Sequence, residues 1–117
     1  MSVVFEVTFK AKEDTYDQLH ATLTAILPDT AKYEGAELIS CSADPADKTF
    51  YVHEVWDSAE SQQAYLNWRQ ERGDVDKLVA MLREPPTFEQ REQLTFCLLY
   101  TSPSPRDLST SRMPSSA

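Results

Sequence analysis

Glycine and basic residues are both scarce in this sequence of 117 residues. Its only glycines are Gly35 and Gly73, which leaves no glycine-rich loop of the kind that cradles nucleotide phosphates. Lys and Arg number 11 against 19 Asp and Glu, so the formal net charge is −8. Nucleic-acid binding normally requires a stripe of basic residues, and the sequence has none. We therefore predict no nucleic-acid partner and attribute the acidity to a solvated surface.

Long apolar runs, a targeting segment and paired cysteines are also missing. No run approaches the roughly 20 apolar residues that a membrane-spanning helix needs, and residues 1–6 lack the basic-then-apolar layout of a signal peptide. Cys41 and Cys97 form no redox or metal-binding motif, and no residue set has the spacing of metal ligands. These absences predict a cytoplasmic protein with no membrane segment, no disulfide framework and no metal site.

The composition changes abruptly after Phe96. Residues 102–117 are mostly Ser, Pro, Thr and Arg, and such a segment has no hydrophobic period with which to bury a face. Two runs in this region resemble pieces of a translated transposase-type sequencing adapter, in one frame and in the right order: CLLYTSPSPRD and SRMPSSA. We therefore predict one domain over residues 1–96 and a disordered, artefactual tail over residues 97–117.

Four segments of the domain are predicted to be strands. Residues 3–10 alternate apolar and polar side chains, which is the period of a half-buried strand. Residues 36–43 are predicted as a second strand and residues 49–56, rich in β-branched and aromatic side chains, as a third. The short Asp-Pro turn between them predicts an antiparallel hairpin. Residues 87–96 alternate again and are predicted as the last strand, which places on one face Phe88, Leu94 and Phe96.

The first helical stripe lies between the first two strands. Apolar residues recur at helical spacing from about Glu13 onward and face one side of a helix: they are Tyr16, Leu19, Leu23, Ile26 and Leu27. Pro28 lacks the N–H that a helix interior needs, so it is predicted to end or kink this helix.

Two further helical stripes follow the third strand. Asp57 stands three residues before Glu60, the spacing of a capping box, and is predicted to begin a helix that Gly73 ends. One side of this helix carries Ala64, Tyr65 and Trp68. The next stripe, over residues 75–82, is predicted to stop at two consecutive prolines.

The predicted order of elements is β-α-β-β-α-α-β. This is the order of the ferredoxin-like split βαβ fold, an α+β sheet with its helices on one face. The other face of the sheet still presents alternating apolar residues and must be covered. Two sheets that pack face to face across a twofold axis would cover it, so the pattern predicts a homodimer.

One segment carries a family resemblance. The run FYVHEVW (residues 50–56) is followed by DSAE and by a helix that bears AYL. With the turn at Gly35 and the hairpin at Asp44, this makes the chain similar to the antibiotic biosynthesis monooxygenase domain family over nearly all of residues 3–96. The resemblance implies a dimeric α+β barrel. Many members of that family oxidise quinols or polycyclic phenols with O₂ and no cofactor, whereas others degrade haem or handle small ligands.

The chain departs from that family in its histidines. Many members carry a His on the helix after the Trp, near the position of Tyr65, whereas this sequence has only His20 and His53, both before Trp56. The resemblance therefore does not imply a His-dependent mechanism here, and haem binding or degradation is disfavoured. His53 is expected to be a core or interface histidine in preference to a base.

The resemblance also implies a pocket between the sheet and the helices. Trp56 at the strand end would line it, although a Trp at this place could equally be core. Trp68 and Val52 would share the same wall. Tyr65 would face the pocket, where its phenol could donate a hydrogen bond to a substrate oxygen or simply pack.

Glu54 and Arg69 are the charged candidates for the site. Glu54 alternates with Val52 and Trp56 on one strand face, and burial would raise its pKa toward that of a general base; we favour a salt bridge with Arg or Lys instead. Arg69 could pair with an anionic substrate oxygen. We favour a solvated surface charge for it, because other charged residues lie nearby in the sequence.

The leading hypothesis is a cofactor-independent monooxygenase-like enzyme that oxidises an aromatic quinol or polycyclic phenol with O₂. The deprotonated substrate would itself give an electron to O₂, so the protein needs an apolar pocket, a donor for the oxyanion and a route for the proton. Tyr65 or Arg69 would be the donor, and Glu54 or a water the base. The alternative is a non-catalytic dimeric module that binds a small hydrophobic molecule, for which Tyr65→Phe would be silent.

Overall fold

Four antiparallel strands form a sheet in the computed structural model, which describes residues 1–94. The strands, in the spatial order β2-β3-β1-β4, are β1 (Val3–Lys10), β2 (Ala36–Asp44), β3 (Thr49–Trp56) and β4 (Thr87–Glu92). The helices are α1 (Tyr16–Ala31), α2 (Ala59–Glu71) and α3 (Asp74–Val79). The order of elements confirms the predicted ferredoxin-like α+β fold. The predicted tail, residues 97–117, lies outside the described residues.

The strand register divides the sheet into two faces. Phe5 stands opposite Glu54 and Val7 opposite Val52, whereas the intervening Glu6 stands opposite His53. The helices pack on the face that carries Phe5 and Val7, which we call the helix face. The face that carries Glu6 and His53 is covered by none of the helices of residues 1–94, and we call it the open face.

Two clusters of buried side chains form the core on the helix face. One joins α1 to Phe50 of β3, and the ring of Tyr16 stacks on that of Phe50 with their centroids 4.9 Å apart. The other joins α2 to the centre of the sheet, and its buried members are Phe5, Val7, Val52, Trp56 and Tyr65. Each fully buried apolar side chain contributes about 1.5–3 kcal/mol, so these clusters hold the helices on the sheet.

Helix α1 continues through Pro28 and ends at Ala31, so of the two predicted effects of Pro28, an end or a kink, the end is wrong. Thr30, in the last turn, is completely buried, and its Oγ1 donates a hydrogen bond to the Ile26 carbonyl at 3.2 Å. Packing of this last turn outweighs the one helical hydrogen bond that proline cannot make.

Helix α2 begins one residue later than the capping prediction. The N-cap is Ser58, whose Oγ accepts the backbone N–H of Ser61 at 3.1 Å. Asp57 is therefore not the cap, and its backbone N–H donates to the Gly35 carbonyl at 2.8 Å. The end of α2 is as predicted, because Gly73 follows the C-cap residue with a φ of +83°, a conformation that favours glycine.

Helix α3 and strand β4 are both shorter than predicted. Helix α3 ends at Val79, and Leu82 instead forms an isolated antiparallel bridge with Ala11, where both residues are buried. Strand β4 ends at Glu92, so Leu94 lies beyond it, and Phe96 is outside the described residues. Of the helices within residues 1–94, none is both long and apolar enough to cross a membrane.

Gly35 holds the turn before β2 against the start of α2. Its φ is +95°, and a Cβ there would stand 2.6 Å from the side chain of Ser61. We expect Gly35→Ala to lower the free energy of unfolding by about 2 kcal/mol, because it adds both backbone strain and a clash. Gly73→Ala is the control: nothing lies within 4 Å of its Cβ position, so only a backbone cost of roughly 1 kcal/mol applies. Equal losses for the two variants in urea unfolding would contradict this account.

Candidate functional site

A cavity of about 260 Å³ lies between the helix face of the sheet and the three helices. Val7 and Val52 of the sheet line it, and its helical walls are Leu23, Ile26, Leu27, Leu66, Val75, Leu78 and Val79. Val79 and Phe88, which also line it, are 44% and 47% exposed. The cavity is therefore largely apolar and meets solvent between α3 and β4.

Few polar side chains line this cavity. They are Glu54 on β3 and, on α2, Gln63, Tyr65, Arg69 and Gln70. Tyr65 and Arg69 lie four residues apart, about one helical turn, and therefore share the buried side of α2. The structure brings around one cavity four of the residues singled out from the sequence: Val52, Glu54, Tyr65 and Arg69.

Glu54 is a buried carboxyl group, only 7% exposed. The indole Nε1–H of Trp56, two residues along the same strand face, donates a hydrogen bond to Oε1 at 2.9 Å. No Lys or Arg of residues 1–94 forms an ion pair with it, so the favoured salt bridge does not form within the described part of the chain. Oε2 has no hydrogen-bond partner within that range, and the Glu54 side chain lines the cavity.

Burial raises the pKa of the Glu54 carboxyl group above its usual range. The Trp56 hydrogen bond and the charge of His53 both act in the opposite direction, but they do not cancel the effect of burial. A carboxylate with a raised pKa is a stronger base. A general base is most efficient when its pKa lies near the pH at which the enzyme works.

Arg69 is also buried, with 5% of its side chain exposed. Its Nε donates to the Tyr65 hydroxyl at 2.9 Å, its Nη1 to Asp74 Oδ2 at 2.9 Å, and its Nη2 to the Ile26 carbonyl at 3.2 Å. The favoured interpretation of Arg69 as a solvated surface charge is therefore wrong. A buried guanidinium is stable only when its charge and its donors find partners, and here they do.

The two partners of this ion pair shift each other's pKa. Burial acts to lower the pKa of Arg69, but its hydrogen bonds and its charge interactions with Tyr65 and Asp74 together outweigh burial and leave that pKa raised. The hydrogen bond from Arg69, and a second one from Arg72, lower the pKa of Asp74. Arg69 is thus cationic and Asp74 anionic around neutral pH.

The Tyr65 hydroxyl is held within the protein. It lies 2.5 Å from Thr30 Oγ1 and accepts the Nε–H of Arg69. Because Thr30 Oγ1 itself donates to the Ile26 carbonyl, the phenolic proton of Tyr65 points to Thr30. The predicted role of Tyr65 as a donor to substrate is thereby weakened, whereas one N–H on Nη1 of Arg69 has no acceptor within residues 1–94.

The two tryptophans do not line the cavity, contrary to the expectation from the sequence. Trp56 is completely buried in the core, where its ring lies 5.3 Å from that of Tyr65. Trp68 is half-buried beside Tyr65, with their ring centroids 6.2 Å apart. The guanidinium of Arg69 lies 4.8 Å and that of Arg72 4.9 Å from the Trp68 ring centroid. Trp56 touches the site through its hydrogen bond to Glu54 and its packing against Tyr65.

Sequence reasoning missed Thr30 and Asp74, the residues that hold Tyr65 and Arg69 in place. Asp74 carried a weak signal, since an acidic residue directly after a helix-ending glycine is favoured at the start of a new helix. Thr30 carried none, because it lies beyond the proline that was expected to interrupt α1.

Neither histidine belongs to the cavity. His53 lies on the open face, where its Nδ1 is 2.7 Å from Glu6 Oε2. His20 lies on α1, with its ring 5.9 Å from that of Phe50. The part of the chain that the structure describes contains no group of three or more His, Cys, Asp or Glu side chains placed to hold a metal ion.

Comparison with family models gave no match, and neither did comparison with curated proteins. Solved structures, in contrast, share the fold over most of the chain. A conserved protein from Methanosarcina mazei superposes with a TM-score of 0.71 at 10% identity, over 80% of this chain and 94% of that one.

Two further solved structures are antibiotic biosynthesis monooxygenases by name. One superposes with a TM-score of 0.70 at 15% identity, over 80% of this chain and 99% of its own. The other, from Deinococcus radiodurans and assigned to that class provisionally, gives 0.68 at 18% identity over 92% and 99%. Identities this low establish a shared fold, and the resemblance seen in the sequence holds at that level.

Proposed function

We propose that this domain, residues 1–96, is a monooxygenase-like enzyme that oxidises an aromatic quinol or polycyclic phenol with O₂ and without a cofactor. One observation carries the proposal: Glu54 is a buried carboxyl group beside an apolar cavity, with no cationic partner among the described residues and one oxygen free. The named monooxygenases that share the fold support it. A cytoplasmic location stays a prediction from the sequence.

The first step is removal of the phenolic proton. The substrate ring lies between the apolar walls, and its hydroxyl donates a hydrogen bond to Oε2 of Glu54. Because burial raises the pKa of Glu54, the difference between its pKa and that of a phenol is smaller than in water, and proton transfer to the carboxylate is easier. The free N–H of Arg69 is the donor that stabilises the developing phenolate oxygen.

The second step is the reaction of the phenolate with O₂. The phenolate gives one electron to O₂, and the resulting substrate radical and superoxide combine at a ring carbon that bears hydrogen. Glu54 returns its proton to the peroxide anion, and loss of water converts that carbon into a carbonyl. One O₂ thus supplies one oxygen atom to the product and one to water, and the substrate loses two hydrogens. The apolar walls of the cavity keep bulk water from the intermediates.

Oxygen consumption by the full chain tests this proposal directly. We would follow O₂ uptake over a panel of quinols and anthrone-like phenols, against the rate of auto-oxidation without protein. Saturable uptake above that background, without added flavin, metal or haem, is the expected result. If a folded protein accelerated O₂ uptake for no compound of the panel, the proposed oxygenase activity would be contradicted and the second candidate function, given next, would be favoured.

That second candidate is a non-catalytic module that binds a small hydrophobic molecule. It is favoured by the hydrogen bonds that already occupy the Tyr65 hydroxyl and most donors of Arg69, because they leave the cavity few groups for chemistry. Saturable binding of a panel compound without O₂ uptake would select this candidate.

We further propose that a second copy of the chain covers the open face. Leu38 and Tyr51 lie on this face and are 50% and 45% exposed, and a twofold pair of such faces would bury them. We expect a dimer in sedimentation experiments at roughly micromolar concentration, and a shift to monomer in Tyr51→Asp. Val79→Asp, a comparable change on the helix side, should leave the dimer intact. A wild-type chain that sediments as a monomer would contradict this assignment.

A further inference from the structure

We infer that Asp74 makes the cavity selective for uncharged ligands by neutralising Arg69, the cation on its wall. The inference rests on the proposed function, because it treats the same cavity as the substrate site. It assigns Asp74 as a specificity-determining residue, although Asp74 itself does not line the cavity.

Asp74 is placed for this role by the junction of α2 and α3. Gly73 takes a left-handed conformation between the two helices, and Asp74 is the first residue of α3. Its Oδ2 accepts hydrogen bonds from Arg69 Nη1 at 2.9 Å and from Arg72 Nε at 3.0 Å. Only 17% of the Asp74 side chain is exposed, so solvent screens this pair weakly.

Arg69 has little left to offer a ligand anion. Tyr65, Thr30, the Ile26 carbonyl and Asp74 take four of its donor directions. Its positive charge is balanced by a carboxylate that belongs to the protein. The remaining N–H can donate one hydrogen bond, which suits a neutral hydroxyl group and the partial charge that it develops when its proton leaves.

A ligand with a full negative charge binds less favourably in this cavity. It must lose its water shell in an apolar cavity, which is strongly unfavourable unless a cation compensates the charge. Arg69 is already paired, and Glu54 adds a second carboxyl group on the cavity wall. A hydroxylated aromatic compound pays no such cost and can donate to Glu54. The cavity should therefore accept a phenol and reject a carboxylate of the same ring system.

The test uses the full chain and two compounds with the same two-ring skeleton, 2-naphthol and 2-naphthoate. 2-Naphthamide, which is uncharged and matches 2-naphthoate in size, controls for shape. Binding is measured by titration calorimetry near pH 7. We expect the wild type to bind 2-naphthol and 2-naphthamide at least about tenfold more tightly than 2-naphthoate.

The variant Asp74→Asn keeps the size of the side chain and removes its charge. Arg69 then carries an unbalanced charge, and we expect the preference against 2-naphthoate to fall at least about tenfold. Asp76→Asn is the matched control, because Asp76 is exposed in the first turn of the same helix and makes no ion pair within residues 1–94. It should leave the preference unchanged.

The outcomes separate this inference from the proposed function. Equal binding of 2-naphthol and 2-naphthoate by the wild type overturns the inference, whatever the stability of the variant. An unchanged preference in folded Asp74→Asn overturns it as well. If the protein prefers the uncharged compounds over 2-naphthoate but consumes no O₂, the inference is supported and only the proposed oxygenase activity is contradicted. Binding of none of the three compounds overturns the cavity as a ligand site, and the inference with it.

Discussion

Glu54→Gln is expected to lower kcat for O₂ uptake by about 100-fold or more, which is the usual contribution of a general base. Glutamine has nearly the same shape, and its carbonyl oxygen can still accept the indole hydrogen bond of Trp56. It cannot take a proton from a phenol at any pH near neutral. The measurement is O₂ consumption at saturating substrate, because the rate then reports kcat and is not lowered by weaker substrate binding.

Glu89→Gln is the matched control for this variant. Glu89 lies on β4 and on the open face, where its side chain is 69% exposed, so it should consume O₂ at the wild-type rate. If folded Glu54→Gln retained more than about a tenth of the wild-type kcat, Glu54 would not be the base.

Glu54→Gln should also change how stability depends on pH. Burial raises the pKa of Glu54 in the folded chain above its unfolded value, so its contribution to stability is fully present below the unfolded pKa and is lost as pH rises through the folded pKa. The glutamine variant has no such loss. We therefore expect its melting temperature, relative to that of the wild type, to be higher at about pH 8 than at about pH 4. The opposite trend would mean that the folded protein favours the charged carboxylate and lowers the pKa of Glu54.

Trp56→Ala is expected to lower the free energy of unfolding by about 3–5 kcal/mol. Trp56 is the largest side chain in the core that is completely buried, and it packs against Tyr65 and Tyr33. Its removal leaves a cavity that its neighbours cannot fill, and it strips Glu54 of its hydrogen bond. Urea unfolding measures the loss, and Trp68→Ala, at a half-buried position, should cost clearly less. Equal losses would place Trp56 outside the core.

Trp56→Phe separates packing from hydrogen bonding. Phenylalanine fills most of the same space but has no N–H, so it removes an interaction that lowers the pKa of Glu54. We expect the pH profile of kcat to move to higher pH in this variant, while stability falls less than in Trp56→Ala. An unmoved profile would separate Trp56 from the chemistry.

The fold could be predicted from the sequence because residues 3–10 and 87–96 alternate apolar and polar side chains and residues 49–56 are rich in β-branched and aromatic ones. The alternation over β1 fixes which residues share a face, and register then brings Glu54 opposite Phe5 and Val52 opposite Val7. Spacing alone therefore placed Glu54 on one face of β3 with Val52 and Trp56, and the structure shows that this face is buried. The helix boundaries were less predictable, since Pro28 lies inside α1 and Ser58 takes the cap expected of Asp57: both depend on contacts made with distant parts of the chain.

The partners within the site could not be read from the sequence. Local charge density suggested that Arg69 is solvated, but its burial depends on acceptors from α1 and α3, which are 43 and 5 residues away along the chain. Glu54 lacks an ion pair because no basic residue of the described chain comes within reach, and spacing cannot reveal that. The family resemblance assigned Trp56 and Trp68 to the pocket wall. Packing instead places Trp56 in the core and Trp68 beside Tyr65, and neither lines the cavity.

The bonds of Arg69 have a mechanical consequence. This one side chain belongs to α2 and is tied to Ile26 and Thr30 of α1 and to Asp74 of α3, so it joins all the helices that wall the cavity. A displacement of any one helix must break or stretch a hydrogen bond to the others. The three helices are therefore expected to move together as one rigid unit. Altering the cavity for a ligand of another shape would therefore require concerted substitutions in several helices, because a change in one wall is resisted by the other two.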